Sequence, residues 1–520
     1  MISRPAAAAA PPTWTVERRA GERPDVGGRQ PSLTQDDRPG KLTVMEDSAC
    51  AGEGRRTVPA AAMVLLLLLP FGCGDDKDDH DAGADADGDV PGDSADDAGA
   101  DVGEDEAGSD AGEVADAPLM WGPVVRLTRT PADSETFLNT AKCVAADDAG
   151  TIHVAWLEVA VPAGGGHAAQ GQVFYTRSTD GGSTFATPTP LTEVVADVGV
   201  PKIAVAGASV FVTWHQSNGF RVRIRLARSA DGGATWAPAT ADLGQGTFPS
   251  IDAWSSGSGD PFVHVAWSDS QNAENHCEVY LASSADGGRS FGAPVMVSEP
   301  DGRSSWTAAV ASWDRTVHVA WTDERHNIDA AGEPYDCIVA GGGETCHEEE
   351  YYRRSRDGGA TFPEPEVRLT SDPPAAPQWS WAPSIVAWYD DVHIAYFDHR
   401  SGSFEIYYRR SRDAGTTWEE ERNLTGALPA APLGRWRPSL AAAGDRLRIA
   451  FWEPAPGGPT TAWTIGSDDG GGTWWAPRRL TDGVAPIHPA VVLSPEGTAH
   501  FAWHDTLDGN HEMFYRHLAP

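Results

Sequence analysis

The chain has 520 residues, a formal net charge of −36, 56 glycines, 39 prolines and 20 tryptophans. That length fits about three domains unless one repeat architecture spreads over it. The acid excess excludes a nucleic-acid binder, which needs a basic stripe for phosphates, and abundant turn formers without long helical periodicity exclude a helical bundle.

Residues 1–44 lie too far upstream for an ordinary export signal. Met45 reads as an alternative start, with 1–44 as a mis-called upstream segment. Over 45–73, Arg55 and Arg56 precede the apolar run VPAAAMVLLLLLPFG, which leads into Cys73. A basic region, a short apolar region and a small residue before cysteine predict a secretory signal, too short for a membrane span of about 20 residues. The cysteine resembles that of bacterial lipoproteins, which implies lipidation at Cys73. Pro70 and Phe71 depart from the usual pattern, and plain secretion or an uncleaved anchor is the alternative. The resemblance implies the outer membrane or cell surface of a Gram-negative bacterium. Contact with the membrane is expected through the lipid anchor only.

Residues 74–118 carry dense aspartate and almost no large apolar side chain. Such a tract cannot bury enough surface to offset its ordering entropy, and its like charges extend it into a tether. Its Asp-Gly pairs show no calcium-loop spacing. Without it the remaining chain is still acidic, at roughly −20.

From Leu119 to Pro520 the chain repeats at intervals of roughly 50–57 residues, with one longer interval. Each unit offers a small apolar strand such as PSIVAW (383–388), then a strand of the HVAW type (153–156, 264–267, 318–321). A third strand like EIYYRRS (405–411) and a short outer one like EVRLT (366–370) complete it. Alternation, β-branched and aromatic enrichment and Gly/Pro/Asp turns predict antiparallel β-structure throughout.

Between third and fourth strands runs Ser-x-Asp-x-Gly-x-Thr/Ser-Trp/Phe, six times, carrying Asp180, Asp231, Asp286, Asp357, Asp413 and Asp469. Aspartate can bond backbone N–H groups ahead of it, glycine accepts positive φ, and the hydroxyl ties the returning strand. This resembles the Asp box (BNR repeat) of the sialidase superfamily. The resemblance implies an all-β propeller of four-stranded antiparallel blades, with the boxes as structural turns opposite the ligand face. Six boxes suggest six blades. The HVAW-type strand, however, occurs seven times, the last at His500–Trp503, and WGPVVRLT (121–128) matches the fourth strand missing after GNHEMFYRHLAP. Seven blades with the N-terminal strand closing the last are therefore expected, six being the alternative.

Second strands end in acids: Glu158, Asp269, Asp323, Asp398, Glu453 and Asp505. Two add Arg325 and Arg400, and inter-blade loops bring Arg303, Trp306, Trp379, Trp381, Arg435, Trp436 and Arg437. Tryptophan beside carboxylate and guanidinium suits a sugar, whose C–H faces stack and whose hydroxyls need polar partners. The competing reading has the Asp–Arg pairs bracing loops and the tryptophans capping blade packing. The repeated histidines His153, His264, His318, His393 and His500 hold one strand position and are spread around the ring. They cannot converge on one ion, and neither metal nor cofactor is expected. Cys337 and Cys346 share one insertion, where a disulfide is expected; Cys277 could instead reach one of them, and Cys143 has no evident partner.

The sialidase resemblance would supply an enzyme through Asp323, Arg325, Asp398, Arg400 and Arg437. The family's Arg-Ile-Pro type motif is absent, and the last repeat offers no obvious nucleophilic tyrosine. The expected function is thus a monomeric, exported propeller binding a glycan or an extracellular protein. A divergent exo-α-sialidase or other glycoside hydrolase is the first alternative, and an extracytoplasmic assembly scaffold the second.

Overall fold

The computed structural model describes residues 120–520 apart from 137–141, 165–166, 200, 218–220, 238–239, 270–275, 328–346, 371–377, 430, 456–458, 482–484 and 507–509. The segments read as start, signal and tether, with Cys73, Cys337 and Cys346, lie outside the described residues.

Every regular element among the described residues is a strand. The strands group into seven four-stranded antiparallel meanders: unit 1 (144–190), unit 2 (202–245), unit 3 (247–296), unit 4 (305–368), unit 5 (378–423), unit 6 (436–479) and unit 7 (486–519). In unit 5, Gln378–Trp388 pairs with Asp391–Asp398, that strand with Glu405–Ser411, and the third with Arg422–Asn423. First strands touch one another in the cycle 1-2-3-4-5-6-7-1, which makes the assembly a β-propeller.

The fourth strand of unit 7 comes from the other chain end, as the sequence predicts. Trp121 pairs with Leu518, Val125 with Tyr515 and Arg126 with Phe514. Backbone bonds Leu127 N–H to Met513 O (2.8 Å) and Ser134 N–H to His511 O (2.8 Å) extend the closure. It covers the outer edge of the chain's last strand, which would otherwise be unpaired.

Each of the six Ser-x-Asp-x-Gly turns, here the boxes, is tied alike. Asp180 Oδ1 accepts the Thr184 N–H at 2.9 Å and Oδ2 the Thr184 hydroxyl at 2.5 Å, while Ser178 Oγ accepts the Gly182 N–H at 2.8 Å. The same bonds recur at Asp231, Asp286, Asp357, Asp413 and Asp469. The Thr184 and Thr235 hydroxyls, then those residues' N–H groups, hold Asp180 and Asp231 down to about 2. A depressed carboxyl stabilises above its unfolded value and stops doing so as pH falls through its folded one. Acid unfolding followed by tryptophan fluorescence should therefore set in between about pH 4 and 2.

The box also stitches one unit to the next. Its closing aromatic reaches beyond its own hairpin to the preceding unit's tyrosine: Trp236 on Tyr175 (4.8 Å), Trp418 on Tyr352 (4.9 Å), Trp474 on Tyr408 (4.8 Å) and Phe185 on Tyr515 (4.9 Å). Arg177 donates to the Gly232 carbonyl and Arg354 to Ala414, each at 2.5 Å. Those tyrosine hydroxyls meet the repeated histidines: His153–Tyr175, His318–Tyr352 and His393–Tyr408 at 2.7 Å, and His500–Tyr515 at 2.6 Å. In unit 3, where Leu281 replaces the tyrosine, His264 bonds Ser283 at 2.9 Å instead. Burial pushes His318 and His393 down to about 3, so both stay neutral. The histidines are interior packing groups.

Candidate functional site

Box turns lie against the turns between first and second strands: Gly358 N–H bonds Arg315 O, Ala414 N–H bonds Asp390 O and Gly470 N–H bonds Asp445 O. The opposite face carries second-to-third-strand loops and unit-to-unit loops, where the sequence places its candidate residues.

The acids ending the second strands face further acids across the ladder: Asp269 opposite Glu278, Asp323 opposite Glu349, Asp398 opposite Glu405 and Asp505 opposite Glu512. Like charges so placed repel, and the outer strand supplies the remedy. Its Leu-Thr or Val-Ser end puts a hydroxyl on the glutamate: Thr128 on Glu512, Thr370 on Glu349, Thr425 on Glu405, and Ser298 on Glu278 at 2.5 Å. Arg126, Arg368 and Arg435 add a cation to the first three. Asp323 has a local donor as well, Trp321 Nε1 bonding its Oδ2 at 3.0 Å.

Asp323 and Asp398 are fully buried, each beneath its own arginine. Arg325 donates twice to Asp323 at 2.7 Å, meets Glu366 at 2.7 Å and Asp301 at 3.3 Å, and lies 3.9 Å over the Tyr351 ring. Arg400 meets Asp398 at 2.5 Å and Glu421 at 2.9 Å and lies over Tyr407. Glu366 and Glu421, each immediately before an outer strand, are partners the sequence reading did not single out. Each opens the segment that supplies the Thr hydroxyl, and that shared spacing is the signal that would have found them.

Arg435 is buried on Glu405 at 2.9 Å and 3.0 Å. Trp436 is buried between Phe397, Phe404 and Trp452 and donates to Leu433 O. Trp379 stacks on Phe404 and Trp381 packs edge-on to Phe397, each keeping part of its surface exposed. Arg303 and Trp306 are also partly exposed, the Arg303 N–H bonding Asp301.

Arg437 points elsewhere. First strands of units 3–7 each carry a bulge, with Phe248, Thr307, Ala382, Arg437 and His488 at positive φ near +50°. Arg437 Nη1 lies 3.1 Å from His488 Nε2, and His488 Nδ1 is 3.0 Å from the Thr136 carbonyl. A carbonyl only accepts and a guanidinium only donates, so His488 is the neutral Nδ1–H tautomer. Thr136 N–H bonds His504 Nδ1 at 3.1 Å, which fixes His504 as the Nε2–H form. Lys142, on unit 1's entry to the ring, donates to Ile251 O (3.2 Å) and Val310 O (2.8 Å) of units 3 and 4, spanning first strands of distant units. Burial pulls Lys202 down to about 8 and Arg437 to about 10. A strongly acidic chain thus gathers basic groups between its first strands, a cluster of which the sequence reading held only Arg437.

Asp133, Glu135 and His511 place potential ligand atoms within 4.8 Å of one another. They already serve each other, His511 Nδ1 at 3.3 Å from Glu135 and the His511 N–H on Asp133 at 2.8 Å. Cys277 is disulfide-bonded, and since Cys143 is a free, buried thiol pushed up to about 12, the partner of Cys277 lies outside the described residues.

No protein-family model and no curated protein matches the chain. Among solved structures, the phage phi92 endosialidase is similar at 11% identity and TM-score 0.43, over 76% of this chain and 69% of that one. A Trypanosoma rangeli sialidase is similar at 14% and 0.37, over 63% and 56%. A Dyadobacter fermentans protein of unknown function is similar at 11% and 0.40, over 61% and 93%. At such identities and TM-scores these likenesses say nothing of activity.

Proposed function

We propose that this chain is an exported, lipid-anchored binding propeller that holds a glycan on the loop face of units 4–6 without hydrolysing it. The observation that carries this is the commitment of the arginines. Arg325 and Arg400 each sit between two or more protein carboxylates, Arg435 grips Glu405, and Arg437 donates to a neutral histidine. A substrate carboxylate would have to displace those partners. The acids proposed for catalysis, Asp323 and Asp398, lie buried under their own cations, out of reach of a leaving group. Partly exposed Trp306, Trp379 and Trp381 remain as stacking surfaces beside polar loops.

The full chain, incubated with a fluorogenic sialoside, should show no turnover. On a glycan array it should give a signal that Trp379→Ala lowers about tenfold, roughly one stacking contact. Turnover abolished by Arg400→Ala would establish the divergent sialidase instead. Salt-sensitive binding to basic proteins, without glycan binding, would favour the assembly scaffold. Anchoring is read from labelled palmitate, which should enter the wild-type chain and not Cys73→Ala.

A further inference from the structure

The Asp-box face carries an aromatic strip that the scheme above leaves unused. First strands of units 3, 4 and 5 end in Trp254, Trp313 and Trp388; the matching ends elsewhere are Ala146, Ala206, Ala443 and Leu493. Trp254 and Trp313 have ring centroids 6.0 Å apart, Trp313 and Trp388 5.0 Å. Tyr389 lies over Trp313 at 4.4 Å. All three indoles are partly exposed and Tyr389 is 64% exposed.

Tyr389 also has φ +54°, in a turn where units 2 and 6 use Gly207 and Gly444 at φ +57° and +59° and unit 4 uses the small polar Asp314 at φ +53°. A bulky residue in that conformation is strained relative to glycine, and an exposed ring recovers little of this by burial. Contacts with Trp313 and Trp388 offset part of this strain, yet they leave most of the ring in solvent. Strain retained at an exposed aromatic points to a ligand.

We infer that this strip is a second carbohydrate site, independent of the loop face, which stacks the pyranose rings of a neutral or N-acetylated glycan. Partly exposed indoles in a row present π-faces to sugar C–H groups. Asp314 and Asp390, exposed beside the strip, accept hydroxyl hydrogens and, with the neighbouring Arg315 donating to the Asp357 carbonyl, disfavour uronic or sialic acids. Four partly covered rings fall well short of the roughly 800 Å² per partner that a stable dimer buries, so a second copy fits less well.

The full chain is titrated with chitohexaose and with cellohexaose by tryptophan fluorescence, beside its sedimentation behaviour without sugar. The wild type should bind at least one hexasaccharide. Tyr389→Gly should weaken that binding at least tenfold while keeping or raising the thermal midpoint, because glycine relieves the turn. Trp313→Ala should weaken it further. The array signal of the loop face should be untouched by Tyr389→Gly, so that either site can fail without the other. No binding to either sugar overturns the inference, as does binding that survives both substitutions. A concentration-dependent dimer lost in Tyr389→Gly would overturn it in favour of a second copy.

Discussion

Gly415→Ala should cost the fold about 3 kcal/mol or more, while Gly358→Ala, in the preceding unit's Ser-x-Asp-x-Gly box, should cost about 1 kcal/mol. Both glycines have positive φ, +77° and +80°. Any Cβ pays for that conformation, roughly 1 kcal/mol in a single residue. The surroundings differ. Nothing lies within 4 Å of a Cβ built on Gly358, whereas one on Gly415 would overlap the Tyr352 hydroxyl. That hydroxyl is not free to swing away, because it bonds His318 at 2.7 Å and its ring is wedged against Trp418. Overpacking a held side chain adds about 1–3 kcal/mol. Urea midpoints of the two variants, compared with the wild type, measure the difference. Equal midpoints would mean that tyrosine and box do not press on each other.

The same contact explains why the box reads as it does. Its second glycine meets a tyrosine of the preceding unit at Gly182, Gly233, Gly415 and Gly471, while the position before it admits Ala414 at φ +53°. A purely local turn would tolerate alanine equally at both positions. The motif is therefore partly a record of a neighbour some 60 residues away or, at Gly182, near the other end of the chain.

This marks where the sequence is legible and where it stops being so. Strand order, six boxes and the borrowed fourth strand of unit 7 rest on short-range patterns, such as hydrophobic alternation, turn chemistry and the match of WGPVVRLT to EVRLT. All of these are visible along one line of residues. Asp323–Arg325 and Asp398–Arg400 were equally visible, but their meaning depended on Glu366 and Glu421, brought in by outer strands more than 20 residues on. Spacing shows that an arginine is near an aspartate and cannot show that its remaining donors are already engaged. Likewise the positive φ at Arg437 turns it toward His488, away from the loop face its GRWRPS context suggests. The strip of Trp254, Trp313 and Trp388 was open to the eye as three first-strand endings. Only the ring arrangement shows that they are consecutive neighbours.

Arg325→Met should destabilise the propeller by about 3–5 kcal/mol at pH 8, and by much less at pH 5. The guanidinium stands among Asp323, Asp301 and Glu366, with Glu278 joined to Asp323 through the Ser305 hydroxyl. Methionine keeps the stem over Tyr351 and removes the charge, so packing changes little and the carboxylates lose their counter-ion. Glu366 and Asp301 are already raised, chiefly by burial, with Arg325 opposing the shift; its loss raises them further. A raised carboxyl holds its proton in the folded chain after the unfolded chain has released it. Stability then falls as pH climbs from the unfolded value, about 4.5, through the folded one. Glu278 obeys the same sign in the wild type, since burial pushes it up to about 8. Glu278→Gln, which keeps an acceptor for Ser298, should flatten the wild-type decline between pH 5 and 8 and recover part of the Arg325→Met deficit in the double variant. Urea midpoints at pH 5 and 8 for the four proteins decide it. A deficit of equal size at both pH values would show that Arg325 acts through packing alone. A deficit that grows with pH and shrinks with Glu278→Gln identifies the arginine as the counter-ion of a buried acid cluster, a role incompatible with offering its donors to a substrate.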